Sequence, residues 1–380
     1  MRVVAVLLPV AFLLLFAELA QRVSDGRKAA ARADRIDPYA VRGETRGGVP
    51  VKGDVERGRL VLELDPHLLF PIRPDQELPG LRINAQGFRG ADWELAKPPG
   101  TRRVVVLGGS TAFGKAASSD TNTFAALLEE RLAPRGAIQV LNAGMIAFDS
   151  NQERILLATR LLDYAPDLIV YFDGWNDFYY GGQRKDGRPP EHPHFQELEQ
   201  ALVDGRRPWL GLLRLSALYR GIERRWPGWR LSLGLDDPPD RGFGRFRHEP
   251  EAVARYRRNL ERMIRLARAY GADSLVAPQP EIFDRADPSE FEQYKREQLE
   301  SDGYADYARA HWRDYVRAAF EVARAEGVAQ VALQDVFGDL EGDAFVDLVH
   351  LTDRGHARVA DALRAPVQRV LEARDAGPAR

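Results

Sequence analysis

The sequence contains no cysteine in its 380 residues. This absence excludes disulfide bonds, thiolate catalysis, cysteine-ligated zinc and iron–sulfur clusters. It does not assign a compartment, because a cysteine-free chain suits oxidising and reducing surroundings equally. The chain also lacks an excess of either charge: 54 Lys and Arg stand against 56 Asp and Glu, for a net charge of −2. We therefore expect no nucleic-acid partner, since there is no bulk electrostatic attraction to phosphate.

The composition that remains is typical of a globular protein. Hydrophobic residues make up 44% of the chain and charged residues 29%, which excludes a disordered or fibrous protein. The length allows one large domain or two ordinary ones.

The longest apolar run is N-terminal, where Val3 to Ala20 reads VVAVLLPVAFLLLFAELA. As a helix this run would span about 27 Å, close to the hydrocarbon thickness of a bilayer. We therefore predict a transmembrane signal-anchor over residues 1–22. A cleaved signal peptide and a buried core helix are the alternatives, although Glu18-Leu19-Ala20 fits a small-x-small cleavage site poorly.

The charges around this segment do not settle its orientation. One basic residue precedes it and five follow: Arg2 before, and Arg22, Arg27, Lys28, Arg32 and Arg35 after. The positive-inside rule would place the C-terminal body in the cytoplasm, whereas the signal-like position favours the opposite side. Residues 23–100 are predicted to be a linker and lead-in segment, because their first part is rich in Arg, Ala, Gly and Asp without apolar periodicity.

From residue 101 onward, strand and helix patterns alternate. Strands are predicted at 102–107, 138–141, 168–172, 274–277 and 328–333, and helices at 123–132, 152–164, 251–270, 289–325 and 354–373. Residues 181–248 interrupt this alternation with many Pro, Gly and Arg, and are predicted to be an insertion with one short helix near 210–226. The alternation implies parallel βαβ units with helices on both faces. The predicted fold of residues 101–380 is thus a three-layer α/β/α sandwich with a parallel sheet.

Ligands of open α/β sheets bind at the carboxyl ends of the strands, so the loops there are the candidate site. Gly109 to Lys115 after the first strand matches the phosphate-binding pattern G-x-x-x-x-G-K. The Ser or Thr that should follow, to hold magnesium, is Ala116. A nucleotide-binding loop is therefore the less favoured of two interpretations.

The other interpretation is nucleophilic. Ser110 stands where a strand ends among small residues, so its hydroxyl could project into the cleft; a serine needs an adjacent base to react. His350 is the best candidate base, and Asp347 lies three residues before it. A turn could bring these two together, so that the carboxylate orients the imidazole and stabilises its protonated form.

Donors for a developing oxyanion are also present at these strand ends. The candidates are the backbone N–H groups of Ser110 and Gly144 and the side-chain amide of Asn176. Each residue alone has an ordinary structural explanation, such as a turn or a helix cap. Their occurrence at four complementary places is what favours catalysis.

These four blocks resemble those of the SGNH (GDSL) hydrolase superfamily. They are GGSTAFG around Ser110, NAG ending at Gly144, GWND with Asn176, and DLVH from Asp347 to His350. The resemblance covers roughly residues 100 to 370, and INAQGFRG at 83–90 is similar to a lead-in of some bacterial members. The Asp that gives GDSL proteins their name is Gly109 here, as in GGS-type branches of the superfamily.

The resemblance implies a three-layer fold of the flavodoxin-like kind, a serine mechanism without metal or cofactor, and ester hydrolysis. Membrane-anchored members similar to this chain are often extracytoplasmic and act on acylated glycans or lipids. We therefore expect an anchored serine esterase with a periplasmic body, acting on acyl esters, acetyl among them. Two alternatives stay open: an O-acyltransferase that uses the same triad on a polysaccharide, and a non-catalytic glycan-binding protein of the same fold. The oligomeric state is left open.

Aromatic residues follow the candidate oxyanion residue directly. Trp175, Phe178 and Tyr179 could stack on a sugar ring or line an acyl pocket, and packing onto the core is an equally good explanation. His192 and His194 form an H-x-H pair, but metal binding would require further ligands that the sequence does not identify. We therefore expect no metal.

Overall fold

The structure is a computed structural model that describes residues 17, 18, 20–22, 60–63, 65, 67–182, 216, 246, 248–300 and 303–375. The chain divides into two compact units. The first comprises Met1–Leu60 and His194–Arg241, of which few residues are described. The second comprises Val61–Pro193 and Gly242–Arg380 and contains every strand and helix named below.

The second unit is built on a sheet of five parallel strands. The strands of this unit are β1 (Gln76–Leu78), β2 (Leu81–Ile83), β3 (Arg102–Gly108), β4 (Ile138–Gly144), β5 (Leu168–Phe172), β6 (Asp273–Val276) and β7 (Ala329–Gln330). Strands β1 and β2 form a separate antiparallel hairpin, and the other five lie in the order β4-β3-β5-β6-β7. Numbered within the sheet, this is the order 2-1-3-4-5 of flavodoxin-like proteins. The parallel α/β sheet predicted from the sequence is confirmed.

Helices cover both faces of this sheet. They are α1 (Ser110–Phe113), α2 (Phe124–Leu132), α3 (Ser150–Leu156), α4 (Trp175–Gly182), α5 (Pro250–Ala269), α6 (Glu290–Glu300), α7 (Tyr304–Glu326) and α8 (Asp353–Asp375). Helix α2 packs against α8, whereas α5 packs against α3, α4 and α7. Alternate residues of a strand face opposite sides, so Val104 and Val106 of β3 pack with α2 and α8 in one core cluster.

The central strands are apolar throughout because both of their faces are covered. All five residues of β5 are buried, and Val104 to Leu107 have no exposed surface. Continuous rather than alternating hydrophobicity is typical of such strands. The carboxyl ends of β3 and β5 meet at the switch point of the strand order, where ligands of this fold class bind. Ser110 follows β3 at that edge.

Several predicted element bounds differ from the structure, and the last strand, predicted over 328–333, covers only Ala329–Gln330. The helix predicted over 289–325 is two helices, because Gly303 adopts a left-handed φ of 80° between α6 and α7. Strand β4 continues to Gly144 rather than ending at Leu141, since its last residues pair with Leu107 and Gly108. Helix α4 occupies a stretch expected to be a loop.

The lead-in segment is folded from residue 67 to residue 100. Arg89 is buried, its Nε donates to Asp120 Oδ1 at 2.7 Å, and its Nη1 donates to the carbonyl of Gly114 at 2.6 Å. These bonds hold the loop after Ser110 against the lead-in. The residues from 67 onward therefore contribute to the scaffold of the candidate site.

Several predictions fall on residues outside those described. The anchor is one, since only residues 17, 18 and 20–22 of its range are described. The short helix near 210–226 and the His192/His194 pair are others. Within the described part of the chain, no helix combines the length and apolarity needed to cross a membrane.

Candidate active site

Ser110 is the first residue of the short helix α1, directly after β3. Its backbone N–H has no acceptor within the helix, because the first N–H groups of any helix precede their carbonyl partners. Gly114 ends the helix with a left-handed φ of 85°, and the Lys115 N–H returns to the Ser110 carbonyl at 2.9 Å. A phosphate-binding loop would instead begin its helix at the lysine. The nucleotide-binding alternative therefore does not fit this loop.

Two glycines directly before Ser110 let the end of β5 and the start of α4 approach this turn closely. A Cβ on Gly108 would collide with the carbonyl oxygen of Phe172, at the end of β5. A Cβ on Gly109 would collide with the amide nitrogen of Asn176. Glycine at 109, where GDSL proteins carry Asp, thus leaves room for the Asn176 amide beside Ser110.

Ser110, His350 and Asp347 form one continuous hydrogen-bonded chain. Ser110 Oγ lies 2.7 Å from His350 Nε2, and His350 Nδ1 lies 2.8 and 2.7 Å from the two oxygens of Asp347. The imidazole is almost fully buried, with 3% of its side chain exposed. With Nδ1 donating to the carboxylate, Nε2 is left as the acceptor for the serine proton.

Asp347 stays ionised next to this imidazole. Burial opposes its ionisation, but hydrogen bonding and charge from the His350 side chain outweigh that effect, together with the backbone N–H groups of His350 and Val349. The pKa of Asp347 therefore lies well below its ordinary value. A carboxylate that remains charged near neutral pH can stabilise a protonated His350.

The loop that carries the histidine is fixed from two sides. The Ile282 N–H donates to the carbonyl of Leu348 at 2.8 Å, and Thr111 Oγ1 donates to the carbonyl of Val349 at 3.3 Å. At the start of this loop, two backbone N–H groups donate to the carboxylate of the buried Glu292 at 2.7 and 2.9 Å. This support holds the base in place without help from substrate.

Asn176 lies in the first turn of α4, against the loop after β4. Its Nδ2 donates to the carbonyl of Phe148 at 2.6 Å and lies beside Gly109. One of the two Nδ2 hydrogens is used in that bond, which leaves the other for an acceptor next to Ser110.

Gly144 does not serve as the predicted oxyanion donor in this geometry. Its N–H donates to Asn142 Oδ1 at 3.0 Å, and a Cβ at this position would collide with the backbone N of Phe113. The glycine is needed because α1 packs closely on the end of β4. The loop that adjoins Asn176 comes later and includes Ala147, whose φ of 62° is unusual for a residue with a side chain. Periodicity could not reveal this strained residue.

The predicted aromatic contacts to substrate also need correction. Phe178 has no exposed surface and stacks on Tyr307 at 4.6 Å, so it belongs to the core between α4 and α7. Trp175 is 3% exposed, and its Nε1 donates to Tyr304 Oη at 3.0 Å. Tyr179 is partly exposed and stacks on Trp175 at 4.6 Å. Of the three, only Tyr179 presents substantial surface to solvent.

A cluster of buried carboxyl groups lies between α4 and α3. Asp177 accepts hydrogen bonds from the backbone N and the Oγ of Ser150 at 2.8 and 2.7 Å. Burial, followed by the charge of Asp149, raises the pKa of Asp177 to about 7. Burial also raises the pKa values of Glu153 and Asp173, whose carboxyl groups hydrogen-bond to each other. No sequence pattern indicates this cluster, because its members come from separate elements.

We expect the buried carboxyl cluster to contribute a decline in the free energy of unfolding as the pH rises from about 4 to about 7, against an opposite contribution from the buried, neutral His356. A buried acid with a raised pKa binds its proton more tightly in the folded state, so its stabilisation is complete at low pH and is lost on ionisation. For Asp177, the change from 3.8 to about 7 corresponds to at most about 4 kcal/mol. Glu153→Gln should flatten this decline, because glutamine mimics the protonated acid. Urea unfolding at several pH values measures it.

Glu130→Gln, on the exposed side of α2, provides the matched control. The free energy of unfolding of this variant should change with pH as it does in the unmodified protein. An unchanged slope in Glu153→Gln would show that the cluster does not control stability in this range.

A second histidine near the site, His356, has a structural role. His356 is buried on α8, and its Nδ1 accepts the Phe124 N–H at 3.3 Å. Burial, together with the nearby Arg89 guanidinium, lowers the pKa of His356 to about 3. This imidazole is therefore neutral and caps the start of α2.

Comparison with known proteins adds a set of remote structural likenesses. No protein-family model matches the sequence, and no curated protein matches it. Among solved structures, an acetyl xylan esterase is 16% identical, with a TM-score of 0.40 over 70% of this chain and 99% of the other. A lipase/acylhydrolase from Enterococcus faecalis is 17% identical, with a TM-score of 0.40 over 72% and 96%. A GDSL-like lipase from Bacteroides thetaiotaomicron is 12% identical, with a TM-score of 0.37 over 72% and 89%. Likeness this distant does not establish chemistry, which has to be argued from the side chains.

Proposed function

We propose that this protein is a serine ester hydrolase with Ser110 as its nucleophile. The observation that carries this proposal is the unbroken chain from Ser110 Oγ through His350 to Asp347, with contacts of 2.7 to 2.8 Å. Nucleophile, base and orienting carboxylate are thus each within hydrogen-bond reach of the next, as acyl transfer through serine requires.

Catalysis begins with proton transfer from Ser110 Oγ to His350 Nε2 as the oxygen attacks the ester carbonyl. The new C–O bond converts the carbonyl to a tetrahedral oxyanion. Its collapse breaks the bond to the alcohol, which leaves with the proton from His350. Water then attacks the acyl-enzyme with the same base, and Ser110 is released with the carboxylic acid.

The oxyanion needs donors that are already in place. The Ser110 N–H and the second Nδ2 hydrogen of Asn176 are suited to this role, because both lie at the turn around Gly109. Phe148 holds the Asn176 amide by the other hydrogen. The donor is therefore oriented before substrate arrives.

Asn176→Ala is expected to lower kcat by about 10²–10³-fold, the usual effect of losing one oxyanion donor. The loss should fall on kcat rather than KM, because the oxyanion exists only in the transition state. Steady-state hydrolysis of p-nitrophenyl acetate measures both constants. Asn122→Ala, whose amide bonds to Ser118 and Asp353 outside the site, is the matched control. A change confined to KM would show that Asn176 only binds substrate.

The substrate class is part of the same proposal: acyl esters, acetyl among them, carried by a glycan or lipid. The proposal also includes attachment to a membrane through residues 1–22, with the rest of the chain on the periplasmic side. These rest on the apolar N-terminal run and on the resemblance of the four sequence blocks. Assay of the purified full-length protein against acetylated xylan and short-chain lipid esters would test the substrate class. Hydrolysis of neither class by a protein that turns over p-nitrophenyl acetate would contradict this substrate assignment.

A further inference from the structure

Outside the catalytic chain, two histidines and a carboxylate come together where α5 approaches α7. His248 lies two residues before α5 begins, and His311 and Asp314 lie on α7. Each side chain offers one ligand atom, and these three atoms all lie within 4.8 Å of one another. Imidazole nitrogen and carboxylate oxygen are donors that divalent transition metals bind.

The three side chains are already close to the spacing that a metal imposes. Residues three apart on a helix share a face, and His311 Nδ1 lies 3.5 Å from Asp314 Oδ2. The His248 ring stacks on the His311 ring with centroids 4.1 Å apart and planes 16° apart. Zinc bonds of about 2.0–2.1 Å place tetrahedral ligands about 3.3 Å from each other. Rotation of the stacked rings, so that their nitrogen lone pairs converge, would bring the ligand atoms to that spacing.

His248 presents a ring nitrogen that no group of the described residues satisfies. Its Nδ1 is shielded from solvent and has no hydrogen-bond partner among the residues that the structure describes. Buried polar atoms are normally paired, so an orphan of this kind needs an explanation. Burial, and then the charge of His311, lowers the pKa of His248.

The charges around the cluster also suit a cation. Asp314 contributes one carboxylate, whose Oδ1 lies 3.3 Å from Arg317 while Oδ2 faces His311. Glu249 is close enough that its negative charge acts on His248 and opposes the lowering of its pKa. Among the described residues, two carboxylates and one guanidinium therefore lie near the imidazole pair.

We propose that His248, His311 and Asp314 bind a divalent transition-metal ion such as zinc, with solvent completing its coordination. The ion would join the segment before α5 to α7. In the same segment, Phe246 stacks on Tyr307 with centroids 5.2 Å apart. The role is structural, and it is independent of the proposed hydrolase activity.

Calorimetric titration with zinc chloride tests this proposal on full-length protein freed of metal by a chelator. We expect one equivalent to bind to the unmodified protein. Loss of an outer partner of a metal ligand weakens binding about 10–100-fold, so His311→Gln, which removes a ligand, should weaken it at least about 100-fold. Cobalt(II) gives a second readout, since its visible absorption on the unmodified protein should be lost in His311→Gln.

Two further variants distinguish the loss of a metal ligand from misfolding of the protein. Asp314→Asn keeps the side-chain shape but removes the charge, and His248→Gln changes a residue outside α7; both should weaken zinc binding. His67→Gln, at an exposed histidine of the lead-in, should bind zinc like the unmodified protein. Absence of zinc binding by the unmodified protein would overturn the proposal. So would undiminished zinc binding by His248→Gln and His311→Gln.

Discussion

Replacing Ser110 by alanine is expected to lower the turnover of p-nitrophenyl acetate by at least about 10³-fold. The variant lacks the atom proposed to attack the ester carbonyl, because Ser110 Oγ is the group held 2.7 Å from His350 Nε2. The residual rate would come from the oxyanion donors and His350 acting on water. Initial rates with the purified full-length protein measure the effect.

The fold should survive this change. Ser110 is partly exposed, and its helix is positioned by backbone contacts and neighbouring glycines rather than by the hydroxyl. Circular dichroism and urea unfolding should therefore match the unmodified protein. Ser119→Ala, in the loop that follows, removes a hydroxyl bonded to Thr121 and should keep full activity. A folded Ser110→Ala protein with an undiminished rate would refute the nucleophile assignment.

A double variant separates a shared mechanism from two unrelated losses. If Ser110 and His350 act as one unit, His350→Ala should cost about as much as Ser110→Ala. The double variant should then be scarcely slower than either single one. Multiplicative losses would mean that the two side chains contribute separately, despite the 2.7 Å contact between them.

The sheet and the places where chemistry could occur were predictable from sequence for the same physical reason. Strands covered on both faces must be apolar throughout, so the runs at 102–107 and 168–172 stand out without any alignment. Parallel strands bring their carboxyl ends to one edge, which groups the loops after β3 and β5. The D-x-x-H spacing predicted a turn that joins Asp347 to His350, and the structure places them in contact.

What the sequence could not show depends on partners from distant segments. Phe178 was a candidate for substrate contact, but its burial is decided by aromatic residues of α7. Gly144 was a candidate donor, but its neighbour Asn142 takes its N–H and α1 leaves no room for a Cβ. Local pattern gives the period of an element, whereas the tertiary fold selects which side chains meet. The clusters around Glu153 and His311 were missed for this reason.

Asp347→Asn is expected to lower turnover by about 10⁴-fold while leaving the fold intact. The backbone N–H groups of Val349 and His350 donate to Asp347 Oδ1 at 3.1 and 3.0 Å. In the variant they should hold the amide oxygen there, which turns the amide NH₂ toward His350 Nδ1. That nitrogen must then accept, so the ring proton moves to Nε2, and Nε2 can no longer take the proton of Ser110.

The charge of the carboxylate is lost in the same change, so protonated His350 would also lack its counter-ion. Turnover should recover partly at high pH, where hydroxide from solvent can take the proton of Ser110 in place of His350. Asp339→Asn, at an exposed aspartate paired with Arg358, is the matched control and should keep full activity at every pH. If Asp347→Asn instead kept the activity and the pH profile of the unmodified protein, the carboxylate would be a structural partner of the loop, and His350 would be oriented by other contacts.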